Sequence, residues 1–139
     1  MAKDFKLISS YAGGMPMKTL AKASETVIEA GDMVALDAGL AIKGVDASKA
    51  LAYSPTWAAA GETTVQILND KDAEFIGTAD ANFAAADRGT EVDLVLSGGT
   101  QEIDLGTSST DVFKVSVGTD AGTVGAKTNV KVKINKFIY

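Results

Sequence analysis

The clearest structural signal in the chain is the stretch EVDLVLSGGTQEIDL, residues 91–105. Apolar and polar residues alternate on both sides of a Gly-Gly pair, and such a two-residue link is a favoured β-hairpin turn. This turn sets Leu94 opposite Ile103 and Val92 opposite Leu105, which gives the hairpin one apolar face. The stretch therefore predicts an antiparallel β-hairpin.

Short β-like runs separated by turn residues continue on both sides of this hairpin, a pattern typical of an all-β sandwich or small barrel. A single helical turn is predicted within residues 80–87, with Asp80 as its cap. A chain of 139 residues is expected to form one domain with a core of its own. The other predicted strands cover residues 33–36, 40–43, 51–53, 63–68, 74–76, 112–117 and 130–134.

The first 22 residues differ from the rest. Gly13, Gly14 and Pro16 disfavour a regular helix, and the apolar residues are scattered. We therefore predict a flexible N-terminal arm over residues 1–22, ordered only against a partner, and a compact β-rich body over residues 23–139. The residues expected to make the arm's contacts are Lys3, Phe5, Lys6, Leu7, Ile8, Tyr11, Met15 and Met17.

The chain contains no histidine and no cysteine. This excludes the Ser-His-Asp triad, the Cys-His pair, zinc ribbons and disulfides, since histidine is the usual general base and cysteine the frequent nucleophile. The composition therefore favours a structural or binding role over an enzyme, and it calls for no cofactor or metal.

Charge is unevenly distributed. Residues 1–22 hold four lysines and one acid, giving +3, and residues 127–139 hold four lysines and no acid, giving +4, within a net charge of −5. Without a dense basic patch we expect no nucleic-acid binding. We also expect no secretory signal and no membrane span, because no apolar run is long enough.

The outer face of the predicted hairpin is acidic. It carries Glu91, Asp93, Glu102 and Asp104, with Asp93 directly opposite Asp104. We interpret this charge ladder as a solvated face balanced by lysines of another strand, within or between subunits. The lysines with the matching spacing are Lys131 and Lys133. Alternatives are a calcium site with oxygen ligands and a carboxylate pair for glycoside hydrolysis.

Aromatic residues allow two interpretations. Trp57, Tyr53, Tyr11 and Tyr139 would form either a sugar-stacking platform or anchors in a core or interface. The glycine-rich residues 118–125 lack the spacing of a nucleotide-binding loop and are predicted to be a mobile loop.

Two stretches carry a resemblance. The first is VIEAGDMVALDAGLAIK, residues 27–43, followed by ALAYSP at 50–55 and GETTV at 61–65; the second is EFIGTADANFAAADRGTEVDL, residues 74–94. With the basic N-terminal segment, they resemble the small head-decoration (capsid cement) proteins of tailed bacteriophages. The resemblance implies a β-rich body that forms a homotrimer, and an N-terminal arm that orders on the major capsid protein.

The expected function is therefore that of a virion structural protein. It would be made in the host cytoplasm and would bind the outer surface of an icosahedral head, with the major capsid protein and copies of itself as partners. Alternatives are a host-surface or carbohydrate-binding head-fibre module that uses Trp57, and another phage morphogenesis protein of the tail or connector.

Overall fold

The computed structural model describes residues 4–10 and 15–138. In this part of the chain the backbone forms eleven strands and one turn of 3₁₀ helix, Ala85–Asp87. The strands are β1 (Phe5–Ser9), β2 (Met17–Ala21), β3 (Asp32–Asp37), β4 (Leu40–Lys43), β5 (Ala52–Ser54), β6 (Thr64–Leu68), β7 (Glu74–Gly77), β8 (Glu91–Ser97), β9 (Thr100–Asp104), β10 (Phe113–Val115) and β11 (Val130–Ile134).

The strands form three antiparallel sheets. The largest has the order β1-β7-β11-β10-β8-β9, the second is β4-β3-β5, and the third is the pair β2-β6. Within the described residues no sheet closes into a barrel, and the arrangement is sandwich-like. The all-β prediction is confirmed, and of the two predicted architectures the sandwich fits the structure.

The predicted hairpin is formed by β8 and β9 with the expected register. Leu94 lies opposite Ile103, and Asp93 lies opposite Asp104. The turn glycines Gly98 and Gly99 have φ angles of 59° and 84°. Both central residues of a type I′ turn need such positive φ angles, which glycine adopts without steric cost.

Alternate residues of the large sheet point into the main core, as the period-two pattern of a half-buried strand requires. The aromatic rings of Phe5 and Phe113 pack 5.4 Å apart there. Gly77 lies opposite Phe5, and a Cβ atom at Gly77 would stand only 2.5 Å from that ring. The large phenylalanine and the small glycine are therefore complementary.

A second, smaller apolar cluster lies between β3–β4–β5 and β2–β6. It is rich in alanine, with Ala41, Ala52 and Ala58 buried beside Val34 and Ile67. Small side chains let two packed sheets approach closely, but each buries less apolar area than a larger residue would.

The prediction of a separate N-terminal arm is wrong for the described residues of that segment. β1 pairs with β7 at the edge of the large sheet, and β2 pairs with β6. Phe5 is only 1% exposed, and Leu7 packs against the core. The alternation of Phe5 and Leu7 with Lys6 and Ile8 is too short to identify a strand by itself, and the pairing strand is remote in sequence. Lys3 and Tyr11 lie outside the described residues.

Two local predictions also need correction. The strand predicted over residues 112–117 is shorter in the structure, where β10 ends at Val115 and Val117 is 76% exposed. Asp80 was expected to cap the helical turn, but the backbone N–H of Ala84 donates to Asp87 Oδ2 at 2.8 Å instead. The Asp80 carboxylate accepts the backbone N–H of Leu105 at 3.1 Å, so it connects the end of β9 to the loop that follows β7.

Candidate interaction surfaces

The four hairpin acids do not form the solvated ladder that the sequence predicts. Asp93 is only 4% exposed, because the loop after β9 folds over it. Its carboxylate accepts backbone N–H groups from Ser109 at 3.1 Å and from Thr110 and Asp111 at 2.8 Å each. Asp93 is therefore a structural carboxylate that organises this loop.

Burial of Asp93 opposes its ionisation, but the backbone hydrogen bonds from Asp111, Thr110 and Ser109 outweigh it, so the pKa of Asp93 is lowered. A lowered pKa in the folded state means that the ionised form contributes stability above the pKa of the unfolded chain, about 3.9. This contribution is lost as pH falls through the folded-state pKa.

We expect Asp93→Asn to lower the free energy of unfolding by about 1–3 kcal/mol at pH 7, since one of the three backbone N–H groups that bond the carboxylate then faces an amide donor. The difference from the wild type should shrink progressively below about pH 4, as the pH falls from the pKa of the unfolded chain towards the lower folded-state pKa of Asp93. Urea unfolding across this pH range, with Glu102→Gln on the same hairpin as control, measures it. A difference that stays constant with pH would contradict this role of the Asp93 charge.

The lysines expected to balance the hairpin acids lie elsewhere. Strand β10 stands between β11 and β8, so within one chain the prediction that Lys131 and Lys133 balance the hairpin acids is wrong. Lys131 forms an ion pair with Asp120, and Lys133 lies opposite Glu74 on one side and Lys114 on the other.

A different charge row crosses the outer face of the large sheet. Glu74, Lys133, Lys114 and Glu91 follow one another on β7, β11, β10 and β8. Each lysine therefore faces one glutamate directly, and opposite charges so placed stabilise a sheet modestly. The amide of Asn135 also donates to Glu91.

A second carboxyl group with a shifted pKa, Asp80, lies in the loop after β7 and close to Asp104 at the end of β9. Burial raises the pKa of Asp80, and the nearby carboxylate of Asp104 raises it further. Among the residues that the structure describes, no three acidic side chains lie together as a metal site would require. The calcium alternative therefore lacks a cluster of three acidic ligands in this part of the chain.

A buried ionic cluster, which the sequence did not indicate, ties β1 to the body. Lys43 Nζ lies 3.7 Å from Asp4 Oδ2 and 3.7 Å from Asp32 Oδ1, and it donates to the carbonyl of Gly99 at 2.7 Å. Asp4 Oδ2 also accepts the backbone N–H of Gln101 at 2.9 Å. Desolvation raises the pKa of Asp32, whose side chain is fully buried.

The predicted N-terminal contact residues divide between two sides. Phe5 and Leu7 face the core, whereas Ile8, Met15 and Met17 are 40%, 52% and 38% exposed. These three lie near the connection between β6 and β7, since the N–H of Asn69 donates to the carbonyl of Pro16 at 2.8 Å and Ser9 Oγ donates to Glu74 Oε1 at 3.2 Å. We name these three exposed residues, together with exposed Lys6, the N-terminal edge.

The aromatic residues do not assemble into one platform. Tyr53 is buried, with its ring 4.7 Å from that of Phe75, and Tyr11 and Tyr139 lie outside the described residues. Trp57 is 60% exposed at a groove of about 430 Å³. The polar residues beside it in the groove are Thr56, Glu62, Thr63, Thr64 and Gln66.

A more apolar groove of about 590 Å³ lies beside the β3–β4 hairpin. Its apolar lining includes Leu36, Ile42, Val45, Ala50 and Phe137. Leu36 and Val45 are 47% and 39% exposed.

No protein-family model matches the chain, and searches of curated proteins and of solved structures find no match either. Within residues 4–10 and 15–138 there is no helix with the length and apolar character needed to cross a membrane.

Proposed function

We propose that this protein is a virion structural protein that binds the outer surface of an icosahedral phage head and stabilises the capsid. The resemblance of residues 27–43 and 74–94 to head-decoration proteins motivates the proposal. We assign the chain no catalytic step and no cofactor. Its partners would be the major capsid protein and further copies of itself in a homotrimer.

The N-terminal edge is the observation that carries the proposal. Ile8, Met15 and Met17 each expose apolar surface, and they lie in or next to β1 and β2, two strands that stand at the edges of their sheets. An edge strand offers backbone hydrogen-bonding groups to an added strand. Exposed apolar side chains next to the edge strand give the side chains of the added strand an apolar surface to pack against. A capsid segment in extended conformation would fit this edge.

A homotrimer would multiply the effect of each contact. Closed symmetry is the usual arrangement of small oligomers, and one trimer would present three N-terminal edges to neighbouring capsid subunits. Modest contacts then add up to high avidity without a large interface on any one subunit.

We expect the triple variant Ile8→Ser/Met15→Ser/Met17→Ser to bind expanded, undecorated heads at least about tenfold more weakly than the wild type. The three side chains are exposed, so the variant should remain folded. Co-sedimentation with heads measures the binding. The matched control, Val117→Ser/Val124→Ser, changes two exposed valines elsewhere and should bind normally.

Native binding by the triple variant would remove the N-terminal edge from the interface. Failure of the wild-type protein to bind heads at all would contradict the proposed function. Rings instead of trimers in sedimentation equilibrium would favour the tail or connector alternative.

A further inference from the structure

The side chain of Trp57 is exposed, and hydrogen bonds hold the backbone on both sides of it. The residue that follows it, Ala58, is buried and exchanges two backbone hydrogen bonds with Ile28, at 2.8 and 3.0 Å. On the other side, Ser54 Oγ donates to the carbonyl of Thr56 at 2.8 Å. The indole therefore stands in water on a backbone that is fixed on both sides, so a ligand would need little ordering of the backbone here.

The polar groups of the adjacent groove are also positioned by the fold. Glu62 Oε2 accepts the backbone N–H of Ala59 at 2.8 Å, and Gln66 Nε2 donates to Thr19 Oγ1 at 2.6 Å. Hydroxyl groups of Thr63 and Thr64 line the same groove. A few oriented polar groups beside an aromatic surface are what a small-molecule site needs for specificity.

The chemistry of this groove selects a class of ligand. The negative face of an indole ring attracts polarised C–H groups, and a carboxylate, an amide and hydroxyls are partners for the hydroxyl groups of a ligand. Among the described residues that line the groove, Glu62 is the one that carries a charge and none is a lysine or arginine, so an anionic ligand would meet no counter-charge from them. A neutral saccharide fits all of these features.

We infer that Trp57 and the groove beside it form a binding site for a neutral saccharide. This inference goes beyond capsid binding, since it assigns a ligand to a groove whose lining includes none of the residues of the N-terminal edge. A protein with both surfaces would link a capsid to a glycan.

Trp57 is the only tryptophan of the chain, so its fluorescence reports on this site directly. We expect at least one of the neutral disaccharides maltose, cellobiose, lactose and N,N′-diacetylchitobiose to change the emission of the full-length protein saturably, with a Kd in the millimolar range. By calorimetry, Trp57→Ala should weaken that binding by at least about tenfold, while Trp57→Phe keeps an aromatic face and should lose less. Val117→Ala is the matched control at a remote exposed residue.

The inference is overturned if none of the four sugars gives a saturable change, or if Trp57→Ala binds as well as the wild type. If sugars fail and Trp57→Ala weakens binding to heads, the groove belongs to the capsid interface and the saccharide site is excluded. Sugar binding is measured on the free protein, so its failure is distinguishable from a failure of the proposed capsid function.

Discussion

Replacing Phe5 by alanine is expected to lower the free energy of unfolding by about 3–5 kcal/mol, because a buried aromatic side chain is lost and a cavity remains. Phe5 is 1% exposed and packs on Phe113 and against Gly77. Lys6→Ala, at the exposed neighbouring position of β1, is the control and should change the stability by less than about 0.5 kcal/mol. Urea unfolding at neutral pH measures both variants.

Equal stabilities of these two variants would mean that β1 is not part of the folded body. We expect a large difference in stability between them. Because β1 then belongs to the folded body, deletion of the N-terminal segment is a poor test of its role in binding. Deleting residues 2–17 removes β1 and the Asp4 carboxylate, so we expect it to destabilise the body strongly. Loss of head binding in such a deletion would not identify the contact residues, whereas the substitutions at the N-terminal edge would.

Replacing Gln101 by methionine is expected to lower the free energy of unfolding by about 2–6 kcal/mol. The side chain of Gln101 is fully buried and bridges two strands and a loop. Its Oε1 accepts the N–H of Met33 at 2.8 Å, and its Nε2 donates to the carbonyls of Met33 and Gly44 at 2.8 and 3.0 Å.

The size of this effect follows from the groups that lose their partner. The Met33 carbonyl keeps its hydrogen bond from the N–H of Gly44 at 2.8 Å. The Met33 N–H and the Gly44 carbonyl each lose the hydrogen bond to Gln101. Each buried polar group without a partner costs about 1–3 kcal/mol. Gln66→Met on β6, where the glutamine is only half-buried, is the matched control. If both variants unfold at the same urea concentration, the Gln101 bridge is not the stabilising element inferred here.

Gln101 also illustrates why part of the protein interior cannot be predicted from the sequence. Gln101 alternates with Glu102 and Ile103 like any hairpin residue, and nothing near it in sequence indicates that Met33 and Gly44 will enclose it. The same holds for Asp4, which is remote in sequence from Asp32 and Lys43 of the β3–β4 hairpin but meets them around the ammonium group of Lys43. Burial of a polar side chain depends on remote segments, so local periodicity cannot reveal it.

The candidate sites were predictable only in part. The sequence singled out Trp57 and the apolar residues of the N-terminal segment, but it could not tell which of them would be exposed. Phe5 and Ile8 are three residues apart in β1 and lie on opposite sides of the sheet, because successive side chains of a strand alternate between its faces. Tyr53 and Trp57, four residues apart, are likewise separated into core and surface.

By itself, the sequence determined the all-β class and the β8–β9 hairpin with its register, because period-two alternation and glycine turns act between close neighbours along the chain. The tertiary structure alone decided that β1 completes the large sheet, that Asp93 is buried, and that β10 separates Lys131 and Lys133 from the hairpin acids. Strand order joins segments that are distant in sequence, and their pairing is selected by the total burial and hydrogen bonding of the whole sheet. A local sequence pattern therefore does not reveal the strand order.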